Sequence, residues 1–186
     1  MKKRALILLH PGFEEMEAAA PIDLLDRAGA DVVQASTVTS QRVEGRNGMT
    51  WEATHLFADV AGEPFDAVIL PGGPGIKKLR GRTDIIECLQ WQQKQEKLLA
   101  CICAAPLMLL DAGLIENIRY TAHPSTEGEL HAAEEAAVVV DGPIITSQGA
   151  GTATEFSLAI VEALFGRDTA IEIAQAICWS PVLNEK

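Results

Sequence analysis

The chain is short of basic residues, and this shortage excludes two classes of partner. Among its 186 residues are 15 Lys and Arg against 26 Asp and Glu, which gives a formal net charge of −11 at pH 7. A protein with this balance is repelled by the phosphates of nucleic acids and by anionic membrane surfaces. We therefore expect no nucleic-acid partner and no membrane partner.

Cysteines are few, and their spacing forms no familiar metal motif. The four are Cys88, Cys101, Cys103 and Cys178. None belongs to a C-x-x-C pair, and no cluster of Cys and His has the spacing of a zinc site. We therefore expect no metal, no organic cofactor, and free thiols in a reducing cytoplasm.

A long apolar run is also missing. The basic start at residues 1–4 and the apolar run at 5–9 resemble the beginning of a signal peptide, but the run stops at His10, well short of a signal-peptide core. A first strand explains it better. No repeat, low-complexity tract or linker follows, and the length suits one domain, so we expect a single domain over residues 1–186.

What the chain does contain is a regular alternation of strand-length apolar runs and helical patterns. The runs at residues 5–9, 67–70 and 98–102 are unbroken, as is typical of parallel strands covered on both faces. Further strands are predicted at 31–36 and 120–122, hairpins at 43–51 and 137–147, and helices at 14–27, 83–96, 153–164 and 169–179. The pattern predicts an α/β fold with a mostly parallel central sheet.

Four turns follow predicted strands and are expected to meet. In α/β sheets the ligand crevice lies outside the carboxyl ends of the strands. The turns lie at residues 10–17, 71–75, 103–106 and 148–152. Their expected convergence indicates a functional site at this edge of the sheet.

Cys103 stands at a strand–turn–helix elbow, where the pivot residue is often strained. The helix that opens near Pro106 would direct free N–H groups at the sulfur, which lowers a thiol pKa and favours the thiolate. The alternative is a small buried apolar residue. Cys101 is expected on the same face of the strand, either as a packing residue or as a resolving thiol.

Two neighbouring motifs add polar groups to this site. The glycines of residues 71–75 either present backbone N–H groups to an oxyanion or form a plain tight turn. Of the carboxylates Glu14, Glu15 and Glu17, at most two can face Cys103. A carboxyl pressed against a thiolate should be protonated, and the other acids are expected in a solvated first helical turn.

The four histidines are the candidate bases for the Cys103 thiol. His123, in a loop after a predicted strand, is the best-placed candidate, and His10 at the end of the first strand is its rival. His55 and His131 are expected on the surface. A Cys/His pair is the minimal activated nucleophile, but a structural His is the alternative at each position.

Five motifs run in the same order and at similar spacing as in one known group of proteins. They are Gly12–Glu17, Ile69–Gly73, Ile102–Pro106, Thr121–Pro124 and Thr146–Thr152. Together they resemble the ThiJ/PfpI superfamily, in particular the group of the parkinsonism-associated protein DJ-one. The resemblance implies a flavodoxin-like three-layer sandwich with a nucleophile elbow, and usually a homodimer.

The resemblance also implies roles for individual residues. Cys103 matches the nucleophile, Glu17 the protonated carboxyl beside it, and His123 a nearby histidine. The oxyanion pocket would be formed by backbone groups of Gly72, Gly73 and Ala104.

Two arginines have counterparts as well. Arg27 matches an arginine that reaches the site of the partner subunit, and Arg46 matches a second pocket arginine.

Three functions remain open at this point. The first is a cysteine-dependent glyoxalase III or protein deglycase, acting on methylglyoxal or on its adducts with protein side chains. The second is an oxidative-stress sensor or chaperone that uses the same thiol without turnover. The third is an intracellular peptidase of the PfpI type, which depends on higher oligomers.

Overall fold

A computed structural model describes residues 2–180 of the chain as a central sheet with helices on both faces. The strands are β1 (Arg4–Leu9), β2 (Asp31–Ser36), β3 (Arg42–Glu44), β4 (Thr50–Glu52), β5 (His55–Leu56), β6 (Ala67–Leu70), β7 (Leu98–Ile102), β8 (Val138–Asp141) and β9 (Ile144–Ser147). The helices are α1 (Glu15–Arg27), α2 (Phe57–Val60), α3 (Ile76–Leu79), α4 (Thr83–Lys94), α5 (Pro106–Asp111), α6 (Ala153–Phe165) and α7 (Arg167–Ala176). No helix of residues 2–180 is both long and apolar enough to pass through a membrane.

The sheet has seven strands in the order β5-β2-β1-β6-β7-β9-β8, and β3 pairs with β4 in a separate hairpin. Across the sheet, each strand from β5 through β2, β1, β6 and β7 to β9 runs parallel to its neighbour. The last strand, β8, pairs antiparallel with β9. Parallel strands need crossover connections, which the helices provide. The predicted mostly parallel α/β sheet is confirmed.

Two apolar layers cover the sheet, because side chains alternate along each buried strand. Leu6 and Leu8 of β1 pack with Leu99 of β7 toward α2, α3, α4 and α5. Ile7 of β1 and Ile102 of β7 pack on the other side, toward α1, α6 and α7. The result is a sandwich of three layers, as predicted.

One predicted element is wrong: residues 120–122 do not form a strand. Both edges of β7 are already taken, by β6 and by β9, so the sheet offers this segment no position beside it. Its polar groups find other partners. The Thr121 N–H donates to Thr146 Oγ1 at 2.9 Å, and the Tyr120 carbonyl accepts from the Glu134 N–H at 2.8 Å.

Candidate active site

The turns after β1, β6, β7 and β9 meet at the carboxyl edge of the sheet. The Glu14 N–H donates to the Gly72 carbonyl at 3.1 Å, and the Gly75 N–H donates to the Gly12 carbonyl at 3.2 Å. The Cys103 N–H donates to the Ser147 carbonyl at 2.9 Å. These bonds join the turns in two pairs, and the pairs meet where Gly72 approaches Cys103 so closely that an added Cβ would lie 2.7 Å from the Cys103 Cβ.

Cys103 lies between the end of β7 and the start of α5 in a left-handed backbone conformation, with φ of +65°. This region is unfavourable for residues other than glycine and must be held by the surroundings. Here the N–H of Cys103 bonds Ser147 and its carbonyl accepts from His123. The chain is thus clamped on both sides of a partly buried thiol.

The same bend separates Cys103 from Cys101, contrary to the expectation that they share a face. Cys101 lies within β7, is 1% exposed, and packs in the layer with Leu99. Cys103 lies beyond the strand and packs against the opposite layer. Because Cys101 faces the layer opposite to Cys103, it is a packing residue, and burial raises its pKa to about 12.

Glu17 is fully buried on α1, and its two carboxyl oxygens have different surroundings. The Gly72 N–H donates to Oε2 at 2.8 Å. No donor within residues 2–180 reaches Oε1, and the side chain interacts with that of Cys103. Burial raises the pKa of Glu17 to about 7. A proton on Oε1 can therefore point to the sulfur.

Glu17 and Cys103 hold their protons as a pair. With Glu17 ionised, burial and the adjacent carboxylate raise the pKa of Cys103 to about 12, against the lowering expected from the helix N-terminus. The backbone N–H groups of Gly73 and Ala104 donate to the sulfur, which lowers the pKa of Cys103. A thiolate here would accept from two backbone N–H groups and the Glu17 O–H, and a carboxylate would accept from the Gly72 N–H and the Cys103 thiol. Once the pair has lost its first proton near pH 7, one proton remains, and the reactive thiolate forms when that proton lies on Glu17.

Glycine is required at two positions beside the sulfur. A Cβ on Gly72 would lie 2.7 Å from the Cys103 Cβ and 2.8 Å from the Ala104 nitrogen. Gly73 has φ of +97°, and a Cβ there would lie 2.7 Å from the Glu14 nitrogen. The close approach brings backbone N–H groups to the thiol, which a plain tight turn does not require.

The thiol opens into a cavity of about 440 Å³, within the usual size of small-molecule sites. Its walls come from the turn after β6, from α3, from the start of α5 and from the segment after His123. The lining residues are Arg46, Gly73, Pro74, Ile76, Lys77, Arg80, Cys103, Ala104, Leu107, His123, Ser125, Thr126, Gly128 and Glu129.

The two candidate histidines have different environments. His123 lines the cavity, and its Nδ1 accepts from the Ser125 N–H at 3.1 Å, so the ring proton lies on Nε2. His10 is fully buried below the Gly75 turn, and its Nε2 donates to the Pro71 carbonyl at 3.1 Å. Burial lowers the pKa of His10, which makes it a neutral structural residue.

The other two acids of the first turn are not solvated, contrary to expectation. Glu14 is 9% and Glu15 3% exposed. Arg46 Nη1 donates to Glu14 Oε2 at 3.0 Å, while Glu15 accepts at 2.8 Å from both the backbone and the side-chain nitrogen of Asn47. The hairpin of β3 and β4 therefore docks on these carboxylates through residues that are distant from them in the sequence.

Two cavity residues, Lys77 and Arg80, were missed in the sequence. They follow the Pro71–Gly75 turn on and just after α3, and their position directly after a site-forming loop was the available signal. Among residues 2–180, no group of three or more His, Cys, Asp or Glu could hold a metal ion.

Comparison with known proteins agrees with this geometry. The sequence profile of the DJ-1/PfpI family matches residues 3–163. The chain belongs to the DJ-1/PfpI family.

Individual family members match nearly the whole chain. Protein DJ-1 homolog A of Arabidopsis thaliana is 37% identical over 99% of this chain, which spans about half (48%) of that relative's length. Glutathione-independent glyoxalase DJR-1.2 of Caenorhabditis elegans is 37% identical over 95% of this chain and 97% of its own.

Solved structures of the DJ-1/PfpI family have the same fold. Drosophila melanogaster DJ-1beta superimposes with a TM-score of 0.91 at 35% identity, covering 97% of this chain and 100% of that one. Toxoplasma gondii DJ-1, solved in an oxidized form, gives 0.91 at 32% identity, covering 96% and 99%.

Proposed function

We propose that the protein is a cysteine-dependent glyoxalase or deglycase acting on methylglyoxal or its adducts. One observation carries the proposal: a partly exposed sulfur, on a residue held in a left-handed conformation, is in contact with a buried carboxyl group of raised pKa and with two backbone N–H groups. This is the arrangement of an activated nucleophile with an oxyanion pocket. The name of the Caenorhabditis elegans relative supports the reaction.

The first step forms a bond between the Cys103 sulfur and the aldehyde carbon of the substrate. The carbonyl electrons move to its oxygen, which the N–H groups of Gly73 and Ala104 stabilise, with Gly72 holding the carboxyl that supplies the proton. Proton transfer from Glu17 then gives a hemithioacetal. Glu17 is left as a carboxylate, ready to accept a proton again.

The second step moves hydrogen within the bound substrate. Glu17 removes the proton from the former aldehyde carbon, and a proton is returned to the neighbouring carbon, so the first carbon is oxidised and the second reduced. A thioester of lactate on Cys103 results. Water hydrolyses it to lactate and restores the thiol, with His123 Nε2, on the cavity wall, assisting the proton transfers.

We propose that the working form is a homodimer in the cytoplasm, built from a single domain over residues 1–186. The exposed side chains of Met16 on α1 and of Met49 on the docked hairpin, 59% and 58% exposed, support a partner on this face. Arg27, at the end of the same helix, is exposed and bonded at 2.9 Å to Asp23, from where it could approach a partner.

The decisive experiment measures lactate formation from methylglyoxal. We expect Cys103→Ala to abolish turnover and Glu17→Gln to reduce it by about two to four orders of magnitude, the usual contribution of a general acid–base. Cys178→Ala, which removes an exposed thiol elsewhere, is the matched control and should retain wild-type rates.

Turnover that survives Cys103→Ala would exclude this mechanism. Wild-type protein without turnover would instead favour the second candidate, a thiol sensor of peroxide.

The sensor is supported by the oxidized state of the Toxoplasma gondii relative and by the partial exposure of Cys103. Its first step transfers an oxygen atom from hydrogen peroxide to the sulfur and gives a sulfenate, and a second hydrogen peroxide converts this to a sulfinate, with one water released in each step. The oxidation rate of Cys103, followed by mass spectrometry, separates the two.

A further inference from the structure

The cavity beside Cys103 carries more positive charge than the composition of the chain suggests. Its described lining includes Arg46, Lys77 and Arg80, against the carboxylate of Glu129. The chain as a whole has a net charge of −11. A cation in the wall of such a cavity attracts an anionic ligand where no carboxylate compensates its charge.

Two of the three cations are neutralised by carboxylates. Arg46 Nη1 is 3.0 Å from an oxygen of Glu14. Arg80 binds both oxygens of Asp111, at 2.5 and 2.6 Å, and an oxygen of Glu129 at 3.0 Å. These arginines hold the cavity walls together, and their charge is already compensated.

Lys77 differs from both arginines. It belongs to α3, its side chain is exposed, and its ammonium forms no ion pair with a carboxylate of residues 2–180. It lines the same cavity as the Cys103 sulfur. The neighbouring Lys78 is exposed as well but is not part of the cavity wall.

The dimensions of the cavity leave room for a substrate longer than methylglyoxal. A molecule of that size fills only a fraction of about 440 Å³. Apolar side chains of Ile76 and Leu107 also line the wall and suit a short methylene chain. Cys103 and Lys77 both line this cavity, so a single bound molecule longer than methylglyoxal would have both groups in its wall.

We propose that Lys77 determines specificity by binding an anionic group, a carboxylate or a phosphate, at the distal end of a 2-oxoaldehyde whose aldehyde carbon reacts with Cys103. The inference rests on the proposed function, since it names the substrate class of the same site. With 4,5-dioxopentanoate the balanced reaction adds water, oxidises the aldehyde carbon to a carboxylate and reduces the ketone carbon to an alcohol, giving 2-hydroxyglutarate.

The first test compares kcat/KM for 4,5-dioxopentanoate with that for 2-oxopentanal, a neutral substrate of equal length. We expect the wild type to prefer the anion, Lys77→Met to reduce this preference about fivefold at low salt, and Lys78→Met to retain it. Raising the ionic strength to about 0.5 M should weaken the wild-type preference, because salt screens the attraction. Equal preference in the wild type and Lys77→Met would overturn the proposal.

The second test needs no turnover. Alkylation of Cys103 by iodoacetate and by neutral iodoacetamide is followed by peptide mass spectrometry, with and without millimolar inorganic phosphate. The rate with iodoacetate divided by the rate with iodoacetamide should fall about threefold to fivefold in Lys77→Met. In Lys78→Met this ratio should equal that of the wild type. If phosphate slows the alkylation of Cys103 in the wild type but not in Lys77→Met, the anionic group is a phosphate. If phosphate does not slow alkylation and the wild type still prefers 4,5-dioxopentanoate, the anionic group is a carboxylate.

The two tests separate failure of the subsite from failure of the proposed function. Absence of lactate formation with an alkylation ratio that depends on Lys77 refutes the glyoxalase reaction and retains the anion site. Lactate formation together with an alkylation ratio that is the same in the wild type and Lys77→Met retains the glyoxalase reaction and refutes the anion site.

Discussion

Glu17 should make the stability of the fold depend on pH in the direction opposite to that of an ordinary paired carboxylate. The residue is fully buried, and its Oε1 has no donor within residues 2–180, so ionisation in the folded protein is unfavourable. Its pKa is raised from 4.5 to about 7. Folding therefore favours the protonated form.

The size of the effect follows from the two pKa values. Below the unfolded pKa of 4.5, Glu17 is protonated in both states and its contribution is fully present. As the pH rises toward 7, the unfolded chain loses the proton while the folded chain keeps it, so the free energy of unfolding falls. The full loss is about 3 kcal/mol and is complete just above pH 7.

Urea unfolding of the wild type and of Glu17→Gln between pH 4 and 8 measures this loss. The glutamine has the same shape and does not titrate, so the difference in free energy of unfolding between the two proteins should change by about 3 kcal/mol across this range. Glu127→Gln, at an exposed position near the cavity, is the matched control and should show no such change. A difference that is constant with pH, or that grows in favour of the wild type as the pH rises, would refute the reasoning.

Two further predictions concern packing and ion pairs. Gly72→Ala should reduce the alkylation rate and lactate formation by Cys103 at least a hundredfold and destabilise the fold by about 1–3 kcal/mol, because the new Cβ would lie 2.7 Å from the Cβ of Cys103. Gly62→Ala, whose Cβ would meet nothing within 4 Å and which lies outside the cavity wall, should change neither quantity, and similar losses in both variants would contradict the steric argument. Asp111→Asn should lower the free energy of unfolding in urea by about 1–2 kcal/mol, since it weakens a largely buried, two-bond contact to a guanidinium. Asp23→Asn, in an exposed pair, should stay within about 0.5 kcal/mol, and equal effects would show that burial does not decide the strength of these pairs.

Most of the sheet could be predicted from the sequence because its strands are buried on both faces. The unbroken runs in β1, β6 and β7 have this pattern, and the structure places all three in the centre of the sheet. The segment 120–122 is shorter and more polar than these runs, and it is not a strand: β6 and β9 occupy both edges of β7, and the segment bonds Thr146 and Glu134 instead. The local pattern of residues indicates the tendency to form a strand, but it does not indicate whether a neighbouring strand has a free edge to pair with.

The acidic first turn of α1 shows the same limit for the site. Three carboxylates within four residues have the pattern of a solvated helix start, yet all three are buried. Their partners are Gly72, Arg46 and Asn47, which are about 30 to 55 residues away in the chain. Hydrogen bonds at such separations leave no periodicity in the sequence.

The sequence by itself determined the order of the central strands and the longer helices, the turn that bends the backbone at Cys103, and the close-packed glycine turn that follows β6. These features depend on side-chain size, apolar periodicity and backbone freedom, which are local properties. Only the tertiary structure decided that Glu17 is buried beside Cys103 with a raised pKa, that His10 is structural, that Cys101 faces away, and that Lys77 lines the cavity. Each of these depends on burial and on contacts between distant segments, which arise when the strands assemble into the sheet.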